Sequence, residues 1–261
     1  MADARPIGIF DSGIGGLPIA KQVRSFMPNE NLIYLADTLH APYGEKTEAY
    51  ILERSLNITD YLLQRDVKAI VVACNTATLV SIKTLRERYP IPFIGVEPGL
   101  RPAALNTKTG VIGVLATAKT LTSQSFHDLA QRVAMGATVE IQPCPDLVLL
   151  VEALKLSDEE ASATVQTYVQ PLLDKGADTI ILGCTHFTHL KTVIQKVVGE
   201  TVNVISTEEA VAREVNRRLQ QENLLSAQQT PGSTLLLTNS ERSRFEQQVD
   251  TLWGKAAIDT F

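Results

Sequence analysis

The chain has 261 residues, 44% hydrophobic and 20% charged, with mean hydropathy near zero; this excludes a disordered chain and supports one large or two modest globular domains. Lys and Arg number 24 against 29 Asp and Glu, a net charge of −5, which excludes a basic nucleic-acid footprint, and no run of like charge marks an interaction tail. Apolar runs such as 69–74 and 147–151 are too short to cross a bilayer and the opening Met1-Ala2-Asp3-Ala4-Arg5-Pro6 has no apolar signal core, so a cytoplasmic protein without a membrane partner is expected.

Strands are expected at 7–10, 32–36, 69–73, 93–96, 111–115, 138–141, 179–182, 202–205 and 235–237. Between them, helical periodicity runs over 49–63, 76–88, 121–133, 158–173 and 208–219. This alternation predicts an α/β fold with parallel sheets and helices on both faces. Burial on both faces accounts for runs such as Ala69-Ile70-Val71-Val72-Ala73, which show no polar alternation. Loops are expected at 98–108, around Pro98, Gly99 and Pro102, and at 226–233, around Pro231-Gly232; the first is read as a junction between two lobes.

A weak internal repeat points to the same two lobes. Ile7-Gly8-Ile9-Phe10 resembles Ile112-Gly113-Val114-Leu115, which precedes Ala116-Thr117. Val71-Val72-Ala73-Cys74-Asn75-Thr76 resembles Ile181-Leu182-Gly183-Cys184-Thr185-His186, with the cysteines 110 residues apart (184 − 74).

Ligands of open α/β sheets bind beyond the carboxyl ends of strands, so the residues after each apolar run carry the candidate chemistry. The first such set is Asp11-Ser12-Gly13-Ile14-Gly15-Gly16. It has no Gly-Lys-Ser/Thr phosphate loop. It matches a dinucleotide fingerprint partly, through Gly13, Gly15 and Asp37, but Pro18 stands where the third glycine belongs. The second set, Asp37 to Gly44, holds His40 and a Pro42-Tyr43-Gly44 turn.

The third set is Cys74-Asn75-Thr76, where a helix N-terminus lowers a thiol pKa and Asn75 or Thr76 serves as cap or substrate donor. The fourth is Gly183-Cys184-Thr185-His186, in which an imidazole stands two residues from a second thiol. Zinc-type spacing is missing, so no metal is expected, and three sparse cysteines do not form a disulfide framework. Cys144 is read as structural. A single-cysteine hydrolase leaves the second thiol unexplained. Two thiols suit inversion of a carbon stereocentre, with one abstracting a proton while the other donates.

Together, Asp11-Ser12-Gly13-x-Gly15-Gly16, Pro42-Tyr43-Gly44, Cys74-Asn75-Thr76 and Gly183-Cys184-Thr185-His186 resemble the glutamate racemases of the aspartate/glutamate racemase family, over roughly residues 7–219. The resemblance implies two pseudo-symmetric lobes, 1–97 completed by 208–261, and 98–207, with the active site in the cleft between them. It implies cofactor-independent interconversion of L- and D-glutamate for peptidoglycan synthesis, and a homodimer. Cys74 and Cys184 would transfer protons, assisted by Asp11 and His186 respectively. Asp11, Ser12, Tyr43, Gly44, Asn75, Thr76, Thr185 and His186 would hold the substrate.

Racemisation of aspartate or a hydantoin, and nucleotide binding at Gly13, Gly15 and Asp37, are the alternatives. Two stretches depart from the family pattern. The run from Pro145 to Glu152 matches loosely and leaves Glu152 without an assigned role, and Ser206 stands where Asp is common and reads as a helix N-cap.

Overall fold

The computed structural model describes residues 3–134 and 136–261. In chain order, β1 (Ile7–Asp11), α1 (Leu17–Phe26), β2 (Leu32–Ala36), α2 (Glu48–Leu63), β3 (Ala69–Val72), α3 (Asn75–Arg88) and β4 (Phe93–Gly95) alternate. Then follow α4 (Leu100–Asn106), β5 (Val111–Ala116), α5 (Ala118–Thr122), α6 (Gln124–Val133), β6 (Thr138–Pro143), α7 (Pro145–Glu152) and α8 (Glu159–Asp174). The chain continues through β7 (Thr179–Leu182), α9 (Lys191–Val198), β8 (Asn203–Ile205), α10 (Glu208–Gln221), β9 (Thr234–Thr238), α11 (Arg242–Leu252) and β10 (Ala257–Thr260).

Two compact units result, one running through Val96 and resuming over Glu208–Phe261, the other spanning Glu97–Thr207. The first contains a six-stranded sheet in the order β10-β9-β2-β1-β3-β4, the second a four-stranded sheet in the order β6-β5-β7-β8. Every pairing in both is parallel, as the βα alternation predicts. The order β2-β1-β3-β4 recurs as β6-β5-β7-β8, so the sequence repeat coincides with a repeat of topology: β1 corresponds to β5, and β3 to β7.

In the first unit, β1, β2 and β3 are buried along their whole length, which is why these segments carry no polar alternation. Phe10, Leu35, Ile58, Leu62, Ile70, Val72 and Leu85 form part of its core. Each such side chain contributes roughly 1.5–3 kcal/mol by leaving water. α2 is capped by Thr47, whose hydroxyl accepts from Tyr50 N at 3.3 Å, and buries Ile51, Ser55, Ile58, Thr59 and Leu62 on one face.

The C-terminal segment completes this sheet through β9 on β2 and β10 on β9. Arg24 fastens the start of β9, donating to Ser233 O at 2.6 Å and to Thr234 Oγ1 at 2.8 Å. The 226–233 loop is present as expected, and Gly232 is required there because a Cβ would stand 2.1 Å from Glu30 O.

In the second unit α4 packs on β7, and α8 on β5, β6 and α9. Two expectations need correction here. The 98–108 segment is not all loop, since α4 accommodates Pro102 in its first turn, where the backbone N–H has no helical partner to lose. The single helix expected over 121–133 is two helices, because Ser123 caps α6 by accepting from Phe126 N at 3.2 Å. α10 starts at Glu208, and two residues before it the Ser206 hydroxyl accepts from Lys191 Nζ at 2.8 Å. Among the described residues no helix is long and apolar enough to cross a membrane.

Candidate active site

The first unit brings one cysteine to the carboxyl end of a strand beside β1, and the second brings two beside β5, Cys144 after β6 and Cys184 after β7, of which Cys184 holds the place that corresponds to Cys74. In the first unit β3 and Ala73 deliver Cys74, which is itself the N-cap of α3. Its sulfur accepts from Ala77 N at 3.5 Å, in the place where a cap normally offers an oxygen. The capping role foreseen for Asn75 or Thr76 therefore falls to the thiol. A sulfur held against the first-turn amides sits at the positive end of the helix dipole.

Around it the first unit gathers most of the residues singled out from the sequence. The Cys74 thiol donates to Ser12 Oγ at 3.9 Å. Asp11 is buried at the end of β1, and its Oδ2 accepts from Gly13 N at 3.1 Å. Gly16 lets the chain turn tightly against these groups, since a Cβ there would lie 2.9 Å from Asp11 Cβ and 3.0 Å from Ala73 Cβ. Gly16 is thus explained by packing.

Asn75 and Thr76 are buried beside Cys74, with Asn75 Nδ2 donating to Val96 O at 3.2 Å. Tyr43 and Gly44 lie in a 3₁₀ turn over Tyr43–Glu45. Burial foremost, then the Asp37 carboxylate and the nearby Cys74, hold the Tyr43 phenol far above its ordinary pKa, so it stays neutral. Asp37 is fully buried and bonded to Tyr43, Arg54 and Asn239, so it offers no free carboxylate to a ribose, which removes the support for a dinucleotide site.

In the second unit β7 and Gly183 deliver Cys184, followed by a 3₁₀ run over Thr185–Leu190. Gly183 is needed because a Cβ would stand 3.0 Å from Leu115 O, on the neighbouring strand β5. Cys184 Sγ lies 4.0 Å from His186 Nδ1, and His186 Nε2 lies 2.8 Å from Glu152 Oε1. The imidazole and carboxylate side chains are 3% and 10% exposed, so their interaction is little screened by solvent. Thr185 is buried next to Cys184. The result is a thiol–imidazole–carboxylate chain.

Cys144 donates its thiol to Gln142 O at 3.1 Å, and burial above all, followed by the proximity of Cys184, pushes its pKa well up. It is a neutral, structural thiol. Among the described residues no group of three or more His, Cys, Asp and Glu is arranged to hold a metal.

The structure adds residues the sequence reading left aside. Glu152 is the last residue of α7 and orients His186; its signal was an apolar run ending in one carboxylate. Thr117 follows β5 as Ser12 follows β1, and its hydroxyl donates to Thr120 Oγ1 at 3.1 Å. Its signal was the repeat that ends in Ala116-Thr117.

Comparison with known proteins adds the following. The model of the Asp/Glu/hydantoin racemase family matches residues 18–215. A glutamate racemase of Ectopseudomonas mendocina (strain ymp) is 45% identical over 253 residues, covering 97% of this chain and 96% of that protein. The crystal structure of a glutamate racemase isoform from Bacillus anthracis is similar at a TM-score of 0.89, with 32% identity over 98% of this chain and 97% of that one. A Francisella tularensis glutamate racemase in complex with D-glutamate is similar at a TM-score of 0.87, with 28% identity over 99% and 98% of the two chains.

Proposed function

The chain belongs to the Asp/Glu/hydantoin racemase family, its reaction is the racemisation of glutamate, and we propose that Cys74 and Cys184 carry that reaction as a pair of acid–base thiols. One thiolate takes the proton from Cα, leaving the electron pair on carbon and carboxylate, while the other thiol gives its proton to the opposite face. The C–H bond broken is replaced by one of inverted configuration, and the two sulfurs exchange protonation states. The reverse reaction exchanges their roles. The cycle consumes no cofactor and no metal.

One observation carries this reading: the same strand–thiol–turn unit occurs after β3 and after β7, in sheets of the same strand order. A hydrolase or a binding protein has no use for the second copy. Asp11 assists Cys74 and His186 assists Cys184, each by holding or returning a proton at sulfur. The donors of Ser12, Asn75, Thr76 and Thr185 and the backbone of the Tyr43–Gly44 turn hold the carboxylates and ammonium of the amino acid, and Ser12, Asn75, Thr76 and Thr185 also stabilise the charge that develops at Cα. The D-glutamate formed supplies peptidoglycan synthesis in the cytoplasm, and the working form is a homodimer, a state that light scattering measures directly.

The deciding experiment incubates the purified chain with L-glutamate in deuterated water without added cofactor. D-glutamate carrying deuterium at Cα is the expected product. Glutamate that keeps both its configuration and its hydrogen overturns the function. The same assay with L-aspartate and a hydantoin, both expected to turn over far more slowly, sets the breadth of the pocket.

A further inference from the structure

The first unit buries a carboxylate, Asp37, that the proton transfer does not use. Asp37 Oδ2 accepts from Tyr43 OH at 2.5 Å and from Arg54 Nε at 3.0 Å. Its Oδ1 accepts from Arg54 Nη2 at 2.7 Å and from Asn239 Nδ2 at 2.6 Å. Its own N–H donates to Asp11 O at 3.0 Å, so it is registered to the backbone of the site. Asn239, just past the end of β9, also accepts from Leu39 N at 2.9 Å, and so grips both the carboxylate and the segment that follows β2.

The Tyr43–Gly44 turn has weak local support. It lies outside the sheet and is closed by the short-range bonds Glu45 N to Pro42 O at 3.4 Å and Lys46 N to Tyr43 O at 3.1 Å. It is attached to the sheet through Tyr43, whose ring lies in the core with Phe10, Leu35 and Val72 and whose one phenolic proton is committed to Asp37. A hydroxyl so committed cannot donate to substrate, which changes the task of Tyr43 from donor to anchor. What the turn offers a ligand is then its backbone, placed by the carboxylate behind the ring. The carboxylate is in turn fixed by the forked guanidinium and by the Asn239 amide.

We propose that Asp37, clamped by Arg54 and Asn239, is the positioning residue that sets the Tyr43–Gly44 turn for glutamate, so that binding beside Cys74 depends on a side chain 202 positions downstream. This rests on the racemase reading. A binding turn acts on bound substrate and transition state alike, so its misplacement raises KM and leaves kcat nearly unchanged. A merely structural role does not produce that split.

The test compares steady-state kinetics of the full chain with those of Asn239→Ala, Asp37→Asn, Arg54→Gln and Arg54→Lys. KM is expected to rise at least fivefold in the first three with kcat within about twofold, and Arg54→Lys is expected to recover part of the loss. Tyr43→Phe is expected to raise KM similarly, and adding Asn239→Ala to it to change little more, since both cut the same connection. Ile258→Ala, in the neighbouring edge strand β10, controls for general loosening of the C-terminal segment and is expected to leave KM within twofold.

Unmoved KM in Asn239→Ala and Asp37→Asn overturns the clamp, as does an equal rise in Ile258→Ala. A wild-type chain that fails to racemise glutamate sinks the reaction on which the clamp rests, whereas normal wild-type turnover with unmoved variants sinks the clamp alone.

Discussion

The Cys74 and Cys184 surroundings start from the same local plan and support sulfur in different ways. Cys74 caps a regular 14-residue helix, and its sulfur meets a backbone amide and the Ser12 hydroxyl, with Asp11 buried at the end of β1. Cys184 is followed by a 3₁₀ run, and beside it stand an imidazole and the carboxylate of Glu152. The lesson is that a duplicated scaffold fixes where a reactive atom sits and leaves its proton supply free to diverge. One sulfur stands at a fixed helix dipole, the other beside a group that can itself carry a proton.

The strongest way to break this comparison is to remove each sulfur in turn. Cys74→Ser and Cys184→Ser are each expected to lower racemisation by about 10³-fold or more, because each removes an acid–base partner and not merely a contact. Chiral chromatography of the product checks this; a variant that keeps near-normal turnover removes its cysteine from the mechanism.

Next comes the imidazole arm. His186→Asn is expected to lower kcat about 10²-fold and Glu152→Gln about tenfold, the latter by weakening one charge-assisted hydrogen bond. Enantiomers have equal free energy, so kcat/KM must stay the same in the two directions. Asymmetry between the two thiols can therefore show only as unequal kcat values for L- and D-glutamate. That pair of measurements sharpens the comparison, and equal effects in both directions from His186→Asn would tie the imidazole to both thiols.

The residue before each cysteine gives a smaller effect. Gly183→Ala forces a Cβ to within 3.0 Å of Leu115 O and is expected to cost about 1–3 kcal/mol of stability, read by denaturant unfolding. The corresponding Ala73 already carries a methyl, so the two positions are not interchangeable.

Smallest is an acid effect on the second unit. Burial works against ionisation of Asp178, yet hydrogen bonds from the Thr107 hydroxyl, the Thr109 and Lys108 amides and the Thr179 hydroxyl bring its pKa down to about 2. The folded value lies below the unfolded one, so the stabilisation is full above about pH 4 and fades as pH falls towards 2. After allowance for partial exposure, Asp178→Asn is expected to lose about 1 kcal/mol at neutral pH and nothing relative to wild type near pH 2.

Much of the fold was legible because doubly buried strands leave unbroken apolar runs, as in β3, and because each is followed by helix-forming periodicity. β10 escaped detection, since an edge strand reading Ala257-Ile258-Asp259-Thr260 is largely exposed and carries little apolar signal. α4 and the division at Ser123 were hidden for the same kind of reason: a proline in a first turn and a serine within a helical stretch read as breakers or as neutral until their hydrogen bonds are seen.

Cys74 and Cys184 were readable because a reactive type stood at matching places after β3 and β7, the two copies of one sequence repeat, whereas Cys144 follows a strand outside it. Glu152 and Asp37 were not readable in that way. A carboxylate that stands against a histidine 34 positions away, or an aspartate whose partners include Asn239, can be noticed in the sequence but carries no local sign of those partners, because they come from tertiary packing.

The interrupted course of the first unit has a consequence for how the protein is made. Domains emerging from the ribosome generally fold in the order of their synthesis. Here Glu97–Thr207 is continuous and can finish as soon as it leaves the exit tunnel, whereas the earlier-made portion must wait for β9 and β10 to close its sheet. A translation product that stops short of Asn239 therefore carries one finished half and one open half. Such a product is expected to be inert however well the finished half folds, and catalysis becomes a report that β9 and β10 have been made and docked.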